Sequence, residues 1–190
     1  KQFVDKFEIF AIEIASNSNG IVDLAIGHPS STMSVSKPFV ESATKEIGKH
    51  RTLIISTGKE SSNDSLDKSL SALWNCSEAV RNEGLAVLLG ECTHGIGSSA
   101  IQYYIEGQMS LDRLKKPAKY INGMETLLFL TELQKKFQVG MVSILPEFYL
   151  KKLNILSFSG VAQAMNHILK VQGARQKVVV VSDGARLLLR

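Results

Sequence analysis

GLAVLLG, residues 84–90, decides the fold. Five apolar residues run unbroken between two glycines, too short for a helix and without the in–out alternation of a half-buried strand. Such a run suits a strand buried on both faces, as in a parallel sheet covered by helices. Three more runs of this kind occur: Thr52-Leu-Ile-Ile-Ser-Thr57, Gly140-Met-Val-Ser-Ile-Leu145 closed by Pro146, and Lys177-Val-Val-Val-Val-Ser-Asp-Gly184.

Helical spacing fills the intervals. Ser36-Lys37-Pro38 reads as a helix start capped by Ser36, with apolar positions Phe39, Val40, Ala43 and Ile47. Asn63 or Asp64 is placed to cap a helix whose Leu66, Leu70, Leu73, Trp74 and Ala79 share one broad face. Further helices are expected from Ser98 to Ile105, Ile121 to Phe137 and Val161 to Leu169. Upstream, Phe7–Ala15 and Gly20–Ile26 are strand-like, and Asn17, Ser18, Asn19 and Gly20 supply turn chemistry for a hairpin. The expected fold class is α/β: Rossmann-like, a mostly parallel sheet with helices on both faces, preceded by a β-hairpin. Residues 1–30 form the hairpin segment leading from a missing N-terminal domain, and residues 31–190 the α/β domain.

Composition sets the bounds. Of 190 residues, 44% are hydrophobic and 21% charged, enough for one domain with a core that needs no staples. Net charge is +4, but the basic residues are scattered, and the densest group, Arg113, Lys115, Lys116 and Lys119, sits beside Pro117. A nucleic-acid partner is not expected, because such proteins concentrate charge on one face. Two cysteines, Cys76 and Cys92, exclude a disulfide framework and point to a reducing compartment. No apolar run approaches the ~18 residues of a membrane span, and no signal peptide is visible. A cytoplasmic protein without a membrane partner is the expectation. The chain begins at Lys1 and stops after Leu187-Leu188-Leu189-Arg190, which reads as a fragment.

In parallel sheets, ligands bind beyond the carboxyl ends of the strands. Ser56-Thr57-Gly58, Glu91 to Ser98 and Ser182-Asp183-Gly184 fall there, although strand ends also carry Gly, Ser and Asp for turn geometry alone. The middle segment belongs to GECTHGIGS, residues 90–98. Cys92-x-His94 offers two metal ligands where a structural zinc takes four, and His28, His50 and His167 lack motif spacing. Sequence neighbours such as Cys92 and His94 rarely form a thiol held by its base. Gly90, Gly95 and Gly97 do not make the GxGxxG dinucleotide spacing. What remains is Gly95-Ile-Gly97-Ser98 between a strand and a helix start. It suits backbone donors around a phosphate or carboxylate, and equally a plain tight turn. Asp183 before Gly184 is first a turn former and second a candidate carboxylate.

The order of these pieces resembles the nickel-pincer lactate racemase family. Gly84 to Ser98 is similar to that family's strand and loop "GG–apolar run–AEC-x-x-G-x-G-S", and Gly27-His28-Pro29 after the hairpin resembles its "GDP" segment. Leu66 to Val80 is similar to its helix "LYQAxKALxxA", and Lys177 to Arg186 to its "V-x-V-x-P-D-G-x-R" strand end. The resemblance covers nearly the whole chain as the C-terminal half of a two-domain protein. It implies a 2-hydroxy-acid racemase working through a nickel-pincer nucleotide. The tethering lysine, the nickel-ligating histidine and the acid–base histidines then lie in the N-terminal half. No catalytic residue and no metal ligand is expected in this chain, and no cofactor is expected on it alone.

The resemblance also marks departures. The family's Gln and Lys facing the cleft correspond to Lys68 and Ser71, and its "GHK" stretch reads Gly123-Met124-Glu125. The Asp and Pro before that helix are replaced by Glu60-Ser61-Ser62-Asn63. A scaffold kept with altered substrate-facing residues fits another hydroxy acid, or lost catalysis. Glu91, His94, Gly95, Gly97 and Ser98, with Lys68 and Ser71 opposite, are the expected cleft residues. They would hold the cofactor or a substrate carboxylate. Replacing Gly95 and Gly97 together by Val is expected to weaken binding and leave the fold intact. The rival reading is a non-catalytic module for a small ligand, a nucleotide or assembly; an unrelated Rossmann-like enzyme ranks last.

Overall fold

The computed structural model describes residues 6–17, 20–115 and 117–190. The expected turn residues Ser18 and Asn19, Lys116 of the basic group, and Lys1 lie outside the described residues. The chain divides into two compact units, Lys1–Lys45 and Glu46–Arg190.

In the first unit, β1 (Ala11–Asn17) pairs antiparallel with β2 (Gly20–Gly27), as the turn chemistry requires. Strand β1 starts four residues later than the apolar run from Phe7 suggests. Helix α1 (Pro29–Ala43) follows and packs on the hairpin; a two-residue strand, β3 (Thr44–Lys45), ends the unit. The helix begins well before the expected Ser36 cap, and the expected boundary after residue 30 falls inside it. His28 caps it instead: Nδ1 accepts the Ser30 N–H at 3.4 Å, and Pro29 stands at the first helical position, where its missing N–H costs nothing. Pro38 is a residue of the helix interior, not a start signal.

The second unit is a five-stranded sheet, every strand parallel to its neighbours. Its strands are β4 (His50–Ser56), β5 (Val80–Leu89), β6 (Gln138–Val142), β7 (Leu156–Phe158) and β8 (Val178–Val181), and their order is β7-β6-β5-β4-β8. The connections carry α2 (Leu66–Cys76), α3 (Ser99–Ile105), α4 (Leu111–Lys115), α5 (Met124–Gln134), α6 (Glu147–Lys152) and α7 (Val161–Gln172). A last two-residue strand, β9 (Leu188–Leu189), lies near the C-terminus.

Side chains alternate along each strand and feed two cores. Leu53, Ile55, Ala86, Leu88, Val139 and Met141 pack with α2 to α6 on one face. Ile54, Leu85 and Val87 pack with Ala164 and Ile168 of α7 on the other. This division follows from right-handed crossovers. The chain moves one way from β4 to β7, placing those helices on one face, then reverses to reach β8 and puts α7 on the opposite one. The α/β expectation, with helices on both faces, is met.

Candidate functional site

The reversal puts the switch in strand order between β4 and β8, so Ser56-Thr57-Gly58 and Ser182-Asp183-Gly184 flank it. Loop 90–98 stands one strand away, at the end of β5. The structure brings the three segments together. Gly184 donates its N–H to Ser56 O at 2.9 Å, and Thr57 donates its own to Leu89 O at 3.1 Å. The protein's own groups fill the switch: a Cβ on Gly58 would come 2.5 Å from Asp183 Oδ1, and Asn75 Nδ2 donates to both Gly184 O and Ala185 O at 3.1 Å.

Asn63 joins strand β4 to the loop. Its Oδ1 accepts from the Glu91 N–H at 2.6 Å and from Thr57 Oγ1 at 3.1 Å, its carbonyl accepts the Cys92 N–H at 2.9 Å, and its Nδ2 donates to Glu91 Oε2 at 3.3 Å. Sequence reading placed Asn63 only as a possible helix cap; the cap of α2 is Ser65, whose Oγ accepts the Lys68 N–H. Only the fold shows that Asn63 reaches a segment 28 residues away.

Asp64 gathers two of the expected cleft residues. Its carbonyl accepts the His94 N–H at 2.7 Å, and its Oδ2 lies 3.3 Å from Lys68 Nζ. Glu91, His94 and Lys68 are exposed there. Ser71, also exposed, stands one turn further along α2 and donates Oγ–H to Lys68 O at 2.6 Å.

The glycine loop docks on the N-terminus of α2. Gly95 donates to Cys92 O at 2.9 Å, while Leu66 and Asp67 donate to Gly95 O and Ile96 O at 2.9 and 3.0 Å. Two orphan donors of the first helical turn are thereby satisfied by the loop. Gly97 has φ +74, and a Cβ on it would fall 2.5 Å from Ser65 Cβ. Gly123, with φ +87, would similarly press on Ser98, whose Oγ caps α3 and donates to Asn122 O at 3.0 Å. These glycines let the N-termini of α2, α3 and α5 converge. Gly97 therefore has a packing role that sequence alone did not separate from ligand binding. The expectation that the double Val replacement leaves the fold intact fails on that contact.

Asp67 sits at this convergence with Oδ1 buried and unpartnered among the described residues. Burial raises its carboxyl above the usual range; a Thr126 hydrogen bond opposes the shift and Glu125 adds to it. An open depression of about 400 Å³ on the outer side is lined by His94, Gly97, Ser98, Ser99, Gln102 and Asn122, among others.

Cys92 lies under the loop, 1% exposed, with Sγ 3.4 Å from Ser69 Oγ. Burial raises its thiol above the usual range, and the Ser69 hydrogen bond only moderates this. Cys76, fully buried in α2, is pushed up to about 12 by burial alone. Neither is a nucleophile at neutral pH. In native protein at pH 8, both should react with a disulfide reagent at least ~100-fold more slowly than in denaturant, followed by absorbance. Because folded Cys76 keeps its proton longer than the unfolded chain does, its contribution lowers stability as pH rises from about 9 towards 12. A Cys76→Ala variant should show a shallower alkaline decline in urea melts.

Among the described residues, no three His, Cys, Asp or Glu side chains group to hold a metal ion, and no helix is long and apolar enough to cross a membrane. The class that fold and loop define is a doubly wound parallel α/β domain joined to a hairpin-and-helix unit. Solved structures that share this fold include two that match over nearly the whole of this chain. The lactate racemase apoprotein from Thermoanaerobacterium thermosaccharolyticum matches with TM-score 0.79 and 18% identity, over 95% of this chain and 46% of that one. A protein from Thermotoga maritima matches with TM-score 0.60 and 9% identity, over 99% of this chain and 50% of its own. This chain thus has the fold of about half of each of those chains. No protein-family model and no curated protein matches the sequence.

Proposed function

We propose that the chain is the C-terminal α/β domain of a lactate racemase-like 2-hydroxy-acid racemase or epimerase, forming one wall of an interdomain cleft and inactive alone. The match to the racemase apoprotein over 95% of this chain but only 46% of that one carries the reading. The order of the resembling segments supports it. In this reading Lys68, Ser71, Glu91, His94, Gly95, Gly97 and Ser98 face the cleft, where Lys68 and His94 orient an anionic group of substrate or cofactor. A nickel-pincer nucleotide, when bound, would supply the hydride acceptor. The described residues present no ligand set for its nickel, and no step is assigned to it on this chain. The partner is an N-terminal domain, the ligand a small hydroxy acid or a nucleotide, and the compartment the cytoplasm.

In the native polypeptide, Lys68→Ala and His94→Ala should each raise KM for the hydroxy acid about tenfold with kcat within about twofold, as expected for a lost charge-assisted hydrogen bond. Assaying the native polypeptide for nickel and racemisation tests the whole reading; absence of both would end it.

A second reading is a non-catalytic module on the same scaffold, and one feature favours an assembly role over small-ligand or nucleotide binding through loop 90–98. The N–H groups of Glu91, Cys92, His94 and Gly95 all bond within the protein, and Lys68 pairs with Asp64. A native polypeptide that shows neither racemisation nor nucleotide binding by calorimetry would support it; nucleotide binding without racemisation would make the module a nucleotide-binding one instead.

A further inference from the structure

Within its own compact unit the hairpin bares a face that helix α1 leaves uncovered. In the register of β1 and β2, Ile12 lies opposite Ile26 and Ile14 opposite Leu24, so strand alternation puts these four on one side. These four side chains are each between 50% and 64% exposed. Ala11, Glu13, Ala15 and Ala25 alternate with them and are half-buried. The four form a contiguous apolar patch. Scattered exposed apolar residues need no explanation, but a continuous patch of this kind marks an interaction site. The element beneath it is a two-stranded ribbon, which is marginal by itself in water. Covering this face would stabilise it by the same apolar burial that holds the main sheet to its helices.

We infer that this face is an interface, and that its occupant is a further domain of the same native polypeptide, the counterpart of the racemase chain's unmatched part. The inference rests on the reading of the chain as part of a two-domain protein. It names the surface on which the second domain sits. The match leaves only 5% of this chain's 190 residues, about ten, outside it. The hairpin from Ala11 to Gly27 is longer than that, so it belongs at least in part to the matched fold. In that neighbour the matched fold shares one polypeptide with the remaining, larger part of the chain. A second copy of this chain lacks any such support. The occupant presents an apolar surface, since none of the four side chains carries a charge that would select an acidic or basic one.

Hydrogen exchange read by mass spectrometry, on this chain and on the native polypeptide at two concentrations each, tests the assignment. Amides of β1 and β2 should exchange at least ~100-fold more slowly in the native polypeptide, independent of concentration. The double variant Ile14→Lys, Leu24→Glu keeps an attractive cross-strand pair but charges the face. It should abolish that extra protection while leaving exchange in residues 46–190 unchanged. Glu13→Gln, on the opposite side, should change nothing. Equal protection in both proteins would overturn the inference. So would a native polypeptide no longer than this chain, or protection in this chain that grows with concentration as its mass doubles; the last would assign the face to a second copy. Protection with no racemisation would keep the interface and reject the activity. Racemisation without protection would do the reverse.

Discussion

Gly97→Val should lower the unfolding free energy of the 46–190 unit by about 3–7 kcal/mol, the sum of three costs. The backbone at 97 has φ +74, which a β-branched residue holds only with strain of about 1–3 kcal/mol. Its Cβ would lie 2.5 Å from Ser65 Cβ, and such overpacking costs roughly 1–3 kcal/mol. Ser65 must then move, yet its Oγ caps α2, and a lost cap costs about 1 kcal/mol. Gly95→Val is the comparison. Its φ of +73 carries similar strain, but a Cβ there meets nothing within 4 Å, so only that strain of about 1–3 kcal/mol is expected. Urea melts of the two single variants measure the difference. Equal losses would mean that the loop does not pack on Ser65 in solution. For this reason a ligand role of the loop is better probed at His94, whose exposed side chain can be removed without disturbing that packing.

Leu88→Ala should cost about 3–4 kcal/mol, within the range for fully buried leucines whose surroundings relax only partly. Leu88 is completely buried in β5, which is paired on both sides, and faces the core shared with α2 to α6. Val180→Ala, on the edge strand β8 and 70% exposed, should cost less than about 0.5 kcal/mol. Guanidinium midpoints at constant m would show the contrast. Similar losses at both positions would contradict the strand order, in which β5 is central and β8 an edge.

Strand β5, the run whose reading settles the class, is legible because complete burial demands a continuous apolar segment, and local composition records that directly. Strands β4 and β6 are legible for the same reason, whereas β8 reads alike from its four valines although it is an edge strand with Val180 exposed. Helices α4 and α6 and strand β7, at five, six and three residues, are too short to show a period and went unread. The start of α1 was misplaced because Pro38 carries a start signal wherever it stands, and only the observed His28 cap says which proline begins the helix.

At the candidate site, sequence identified loop 90–98 and its glycines from local chemistry. It left open whether Gly97 serves a ligand or a contact. That depends on Ser65, which is 32 positions away in sequence and brought alongside by the β4–α2–β5 crossover. The same holds for Asn63 on Glu91 and for the closed switch between Gly58 and Asp183. Local pattern therefore determined the class of fold and the strand-end loops, because burial and turn chemistry act over a few residues. Tertiary structure alone decided which loops meet, which donors are already used and which faces stay bare, since each depends on groups far apart in the chain.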